Sequence, residues 1–171
     1  GALYDNASKV PEGVDHVTFF VMGGQDAPLG VGNHWTSLPD WPTPAVTRYY
    51  MQPGGALVTT PAAEKGASSG FDYDPADPSP TTGGNNLILK CGPKDQEAVE
   101  ARGDNLVFTT APLDEPLALT GALEAELYVS SSANDTDFAV RLTDVYPETA
   151  DGPGASQLIQ DGIVRMRWKD L

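Results

Sequence analysis

Asp137-Phe138-Ala139-Val140-Arg141-Leu142-Thr143-Asp144-Val145-Tyr146 is the stretch on which the fold class turns. Phe138, Val140 and Leu142 fall on one face, and Ala139, Arg141, Thr143 and Val145 on the other, the period of two that marks a half-buried strand. Leu123–Ser131 repeats the pattern, with Leu123, Ala125, Leu127 and Val129 facing one way and Glu124, Glu126 and Tyr128 the other. Working outward, Gln157–Trp168, Leu117–Thr120 and Leu106–Thr109 follow at steady spacing with turn residues between them. Toward the start, His16–Met22 is β-branched and aromatic and stops at Gly23-Gly24. Ala45–Met51 and Ala56–Thr60 flank Pro53-Gly54-Gly55 and read as a hairpin. Between Pro61 and Gly84 small residues, Pro and Asp make a long connection, with Phe71-Asp72-Tyr73 its one strand-like piece. The 18 glycines and 15 prolines interrupt every segment before a long helix could form. The expectation is all-β: a two-sheet sandwich, with long crossing connections that favour Greek-key or jelly-roll order.

The 171 residues suit one domain with a sizeable core, and 40% apolar content fills it without disulfides. Val17–Met22, the longest apolar run, falls far short of the roughly 20 residues needed to cross a bilayer, so no membrane span is expected. Against 24 Asp plus Glu stand 10 Lys plus Arg, a net charge of -14 that repels nucleic acid phosphates and anionic lipid alike. Nucleic acid and membrane are therefore excluded as partners. Cys91 is the one cysteine, which forbids an intrachain disulfide and leaves the compartment open, with a lean toward the cytoplasm. Gly1–Val10 lacks the order of a signal peptide.

Gly66-Ala67-Ser68-Ser69-Gly70 matches the serine hydrolase string G-x-S-x-G by letter. That elbow needs a strand before it and a helix after it, and a histidine following the serine in the chain. His16 and His34 both precede Ser68, so the string reads as a loop and no residue is assigned a catalytic role. Neither histidine lies in a His or Cys cluster, and no metal or other cofactor is expected; His16 reads as a sheet-edge or packed residue. Asp72, Asp74 and Asp77 could offer calcium oxygen ligands, but Asp74-Pro75 and Asp77-Pro78 suit turn initiation better. Trp35 and Trp41, near Tyr49 and Tyr50, could form an aromatic platform for a sugar, against the plainer account that they pack on the sandwich. Asp135-Thr136-Asp137 and Lys94-Asp95-Gln96 lie beside strands, where carboxylates can cap amides or pair with Arg102, Arg141, Arg165 and Arg167.

Several strings in order carry a resemblance. They are Tyr73-Asp74-Pro75-Ala76-Asp77-Pro78, Gly83-Gly84, Gly92-Pro93-Lys94-Asp95-Gln96, Val129-Ser130-Ser131-Ser132, Asp135-Thr136-Asp137-Phe138, Leu142-Thr143-Asp144-Val145-Tyr146-Pro147 and Asp161-Gly162-Ile163-Val164-Arg165-Met166-Arg167. Together they resemble the C-terminal domain of the CocE/NonD family of α/β serine hydrolases, which spans esterases, acylases and X-Pro dipeptidyl-peptidases. The resemblance implies a jelly-roll, galactose-binding-like β-sandwich over residues 15–171, preceded at 1–14 by a linker or the tail of a hydrolase domain. It implies a non-catalytic accessory domain whose partner is the preceding α/β-hydrolase domain, walling part of its cleft and supporting dimerisation. Leu87 and Ile88 are the cleft-facing candidates, with burial in the sandwich the competing role. Full-length members continue beyond the Asp161–Arg167 string with strands that complete both sheets, so the expected sandwich is incomplete at its C-terminal end. An open edge of that kind leads to a homo-oligomer by strand exchange or edge pairing. A free-standing carbohydrate-binding module is the alternative from a different class.

Overall fold

The computed structural model describes residues 14–24, 32–43, 45–62, 66–148 and 154–168. The chain divides into two units, one holding Gly1–Arg48 with Pro112–Leu123 and the other Tyr49–Ala111 with Glu124–Leu171. Among the described residues the regular elements are almost all strands, in three antiparallel pairs, as the alternating pattern requires.

In the first unit, β1 (Val17–Val21) pairs with β2 (His34–Leu38). Val17, Phe19 and Val21 are half-buried while Thr18 and Phe20 are exposed, so the period-two reading holds residue by residue. Thr18 sits opposite Ser37, and their hydroxyls lie 3.0 Å apart. Asn33 enters β2 with φ 57°, a left-handed conformation that asparagine tolerates, and its carboxamide ties the connection: Oδ1 accepts from the Gly23 amide and Nδ2 donates to the Gly24 carbonyl. Gly32 is required beside it, because a Cβ there would lie 2.7 Å from the Gly23 Cα. His16 lies exposed just before β1 rather than inside the strand, while His34 accepts a place in β2 with Nδ1 3.2 Å from the Gly32 carbonyl.

In the second unit, β3 (Tyr50–Met51) and β4 (Leu57–Val58) form the expected hairpin, shorter than its apolar flanks suggest. Gly54 and Gly55 turn it at φ 84° and 85°. Thr109 bridges Ala56 in parallel, donating to the Gly55 carbonyl and accepting from the Leu57 amide. The long ladder is β5 (Asp137–Tyr146) with β6 (Ala155–Arg165), whose register shifts between Leu142 and Thr143. That bulge lets Gln160 face Leu142 and Leu158 face Thr143, with Ile159 left over. A single turn of helix, α1 (Glu97–Glu100), follows a segment that lies along the free edge of β6: Gln96 donates to the Ser156 carbonyl and Leu158 donates to the Lys94 carbonyl. The core gathers where these pieces meet, with Val99, Leu158, Gln96 and Ser156 buried. A 3₁₀ turn, Met166–Trp168, closes β6 through a bond from the Met166 amide to the Thr136 carbonyl.

Three alternating segments differ from the sequence expectation. Leu117–Thr120 and Leu123–Ser131 carry no ladder partner among the described residues, and Leu106–Thr109 is joined only at Thr109. Alternation assigns side chains to faces, whereas a strand exists only where a neighbouring backbone supplies the hydrogen bonds. Phe71-Asp72-Tyr73 likewise has no ladder. The stretch read as a linker, 1–14, lies outside the described residues except for Val14.

Candidate functional site

The Gly83–Asp95 loop of the second unit is the best-organised irregular segment. Its neck is a reciprocal backbone pair: the Gly84 amide donates to the Gly92 carbonyl at 2.9 Å and the Gly92 amide donates back at 3.0 Å. Gly83, Gly84 and Gly92 all take left-handed φ, at 71°, 80° and 90°. At Gly83 a Cβ would lie 2.5 Å from the Gly92 carbonyl oxygen, so the neck closes only on glycine. Inside the loop, Asn86 braces both sides, donating from Nδ2 to the Gly83 carbonyl at 2.8 Å and accepting the Leu89 amide on Oδ1 at 2.7 Å. What the brace holds up is an apolar tip: Leu87 and Ile88 are 102% and 95% exposed.

Below the neck the anchor is Gln96, whose side chain is completely buried. Its Nε2 donates to the Thr82 carbonyl at 2.8 Å and to the Lys94 carbonyl at 2.9 Å, joining the two arms of the loop. Asp95 Oδ1 accepts the Ser156 amide, Ser156 Oγ donates to Glu100 Oε1 at 2.7 Å, and Thr143 Oγ1 donates to the same oxygen. Arg141 adds a bond to the Pro80 carbonyl, and the Asp161 carboxylate lies beside Gly84. Side-chain amides and carboxylates thus add to the backbone bonds between Lys94–Gln96 and β6 where the loop meets the ladder.

The other polar clusters are structural pairs. Arg102 forks onto Asp104 at 2.8 Å and reaches Asp77, its carbonyl included, so its guanidinium sits among the carboxylates considered for calcium. Asp72, Asp74, Asp77 and Asp104 line a depression of about 300 Å³ with that arginine, and Asp74 Oδ1 takes the Ala76 amide as a turn initiator does. Hydrogen bonding to Arg102 holds the Asp104 carboxyl below the usual carboxylate range and raises the arginine in turn. At the far end of β5 and β6, Arg165 grips Asp137 through both carboxylate oxygens and Arg167 grips Asp135, lowering both aspartates. On β5 itself the Tyr146 hydroxyl is pushed up to about 12 by its bond to Asp144.

The tryptophans do not share one surface. Trp35, 70% exposed, meets Phe20 edge-on at 5.5 Å, whereas Trp41, 54% exposed, meets Phe19 at 5.5 Å and 48°. Successive strand residues point to opposite faces, so the two pairs lie on opposite sides of the β1–β2 hairpin. Ser68 lies in an exposed stretch that neither strand nor helix flanks among the described residues. Gln96 had no reading as an anchor; its signal was its place in the Gly92–Gln96 string, directly after a carboxylate that caps the next turn.

The profile of the family described as the X-Pro dipeptidyl-peptidase C-terminal non-catalytic domain matches residues 9–171. Cocaine esterase of Rhodococcus sp. (strain MB1 Bresler) is 37% identical over 170 residues, covering 92% of this chain and 27% of that protein. Two mycobacterial proteins, from Mycobacterium bovis and Mycobacterium tuberculosis, whose names propose serine esterases, are each 33% identical over 125 residues, covering 68% of this chain and 19% of each relative. The chain therefore spans about a quarter or less of the length of these relatives. No solved structure matches it.

Proposed function

The chain belongs to the X-Pro dipeptidyl-peptidase C-terminal non-catalytic domain family, and on that premise we propose that it is the accessory domain of a CocE/NonD-type serine hydrolase. Ester or amide hydrolysis is carried by an α/β-hydrolase domain to which residues 1–14 lead. Residues 15–171 belong to a jelly-roll, galactose-binding-like β-sandwich that walls part of that domain's cleft.

The observation that carries the reading is the Leu87–Ile88 tip. An apolar pair held out by a hydrogen-bonded neck and a buried amide adds nothing to the stability of the chain that presents it. Its use is to meet something else, and a hydrolase cleft supplies apolar acyl or leaving groups of matching chemistry. With the chain joined to its hydrolase domain, the double variant Leu87→Ala/Ile88→Ala should change the ratio of kcat/KM for bulky against small acyl esters by about tenfold. An unaltered ratio would remove the cleft-wall role.

The same reading includes contacts between copies. β5 has no ladder partner on its outer edge among the described residues, and Ile163 and Val164 of β6 are exposed, the conditions for edge pairing with a second copy. Light scattering behind size exclusion at low concentration tests this, and a stable monomer counts against it.

A further inference from the structure

Resting on the cleft-wall reading, we propose that Gln96 is a positioning residue for substrate selection, which carries the fixed position of β6 to the Leu87–Ile88 tip and so sets how the tip meets the acyl or leaving group. The two arms of the loop are held unequally. The outgoing arm is fastened to the edge of β6 by main-chain bonds, from the Gln96 amide to the Ser156 carbonyl at 2.8 Å and from the Leu158 amide to the Lys94 carbonyl at 3.1 Å. The Asp95 carboxylate, which takes the Ser156 amide at 2.8 Å, adds a third. The incoming arm has no main-chain bond to β6 among the described residues. At Thr82 it is held by Gln96 Nε2 at 2.8 Å, the same nitrogen that donates to the Lys94 carbonyl at 2.9 Å.

Above that point the neck is a hinge. Its two bonds join one pair of residues, Gly84 and Gly92, and glycines 83, 84 and 92 carry no Cβ to restrict rotation about it. A single rung among glycines lets the loop pivot. The Thr82–Gln96–Lys94 rung lies two residues below it on each arm and removes that freedom. Asn86 passes the orientation on, since it bonds the Gly83 carbonyl and the Leu89 amide and so brackets Leu87 and Ile88 from both sides. The rung serves placement more than stability. Gln96 Oε1 is buried with no hydrogen-bond partner among the described residues, so its desolvation offsets part of what the two donated bonds contribute. An apolar side chain of the same length would fill the space, but it could not tie Thr82 to Lys94.

The test uses the chain joined to its hydrolase domain, with 4-nitrophenyl hexanoate and 4-nitrophenyl acetate as the bulkier and smaller esters. Gln96→Met keeps the length and the main-chain bonds of residue 96 and removes the donors, and it should shift the hexanoate-to-acetate ratio of kcat/KM by about fivefold. Leu158→Ala loosens the core without touching the rung and should leave that ratio within about twofold of the parent enzyme. Gln96→Asn keeps the amide on a shorter stem, should give a smaller shift of the same sign, and carries the test if Gln96→Met does not fold. In the Leu87→Ala/Ile88→Ala background Gln96→Met should move the ratio no further, because nothing is left to position. A shift that persists in that background, or that Leu158→Ala reproduces, overturns the proposal. If the tip variant moves the ratio and the Gln96 variants do not, the positioning role is overturned and the cleft wall stands. If the tip variant itself leaves the ratio as it was, both are overturned.

Discussion

Gln96 and the Leu87–Ile88 tip belong to one loop and stand at opposite extremes of exposure, the polar side chain sealed in and the apolar ones fully out. This inverts the usual allocation of residue types and separates what builds the chain from what it displays. The buried amide joins the two arms of a glycine-necked loop through the Thr82 and Lys94 carbonyls, so its polarity is required there. The exposed leucine and isoleucine make no such contribution, which leaves them free to serve a partner.

The contrast can be broken most sharply at its buried end. Gln96→Glu keeps the shape but turns the donor into an acceptor facing two carbonyls, and should cost about 3 kcal/mol at neutral pH, lowering Tm by roughly 6–12 °C in thermal denaturation. Leu158→Ala, which empties one of the apolar core positions, should cost a similar or smaller amount, about 2–3 kcal/mol by urea denaturation. Ser156→Ala removes the bond to Glu100 and should cost about 1 kcal/mol. Leu87→Ala, at the exposed end, should move stability by less than about 0.5 kcal/mol while altering substrate preference in the joined enzyme. A large loss of stability there would mean that the tip packs after all.

The smallest effect concerns pH. Asp104, Asp135 and Asp137 have carboxyls held below their unfolded range by arginines, so the folded state binds fewer protons than the unfolded chain. Their stabilisation is present above the unfolded carboxylate pKa of about 4 and is lost as pH falls through the folded values. Tm should decline less steeply below about pH 4 in Asp137→Asn than in the parent chain, and because the Arg165–Asp137 pair is exposed, added salt should shrink the difference. Tyr146 has the opposite sign: its contribution is complete below about pH 10 and fades as pH rises toward 12. Absorbance titration of Tyr146→Phe against the parent chain should show the loss of the last phenol to ionise.

Much of this was legible beforehand. The β5 alternation named the ladder's extent to the residue, the Pro53-Gly54-Gly55 string marked the β3–β4 turn, and the Asp135–Asp137 cluster pointed to arginine partners that the end of β6 and the 3₁₀ turn after it supply. The tip was found through family resemblance, since Leu87-Ile88-Leu89 by composition alone reads as core. Leu123–Ser131 shows the limit from the other side: its faces are plain, yet it has no ladder among the described residues.

Local pattern was enough for side-chain facing and turns, because those depend on steric preferences within a few residues. Which glutamine is sealed under a loop and which tryptophan faces which side of a hairpin depended on residues far apart in the chain being brought together. Hydrogen bonds and charge pairs act over a few ångströms of space rather than of sequence, and the folded chain alone sets those distances.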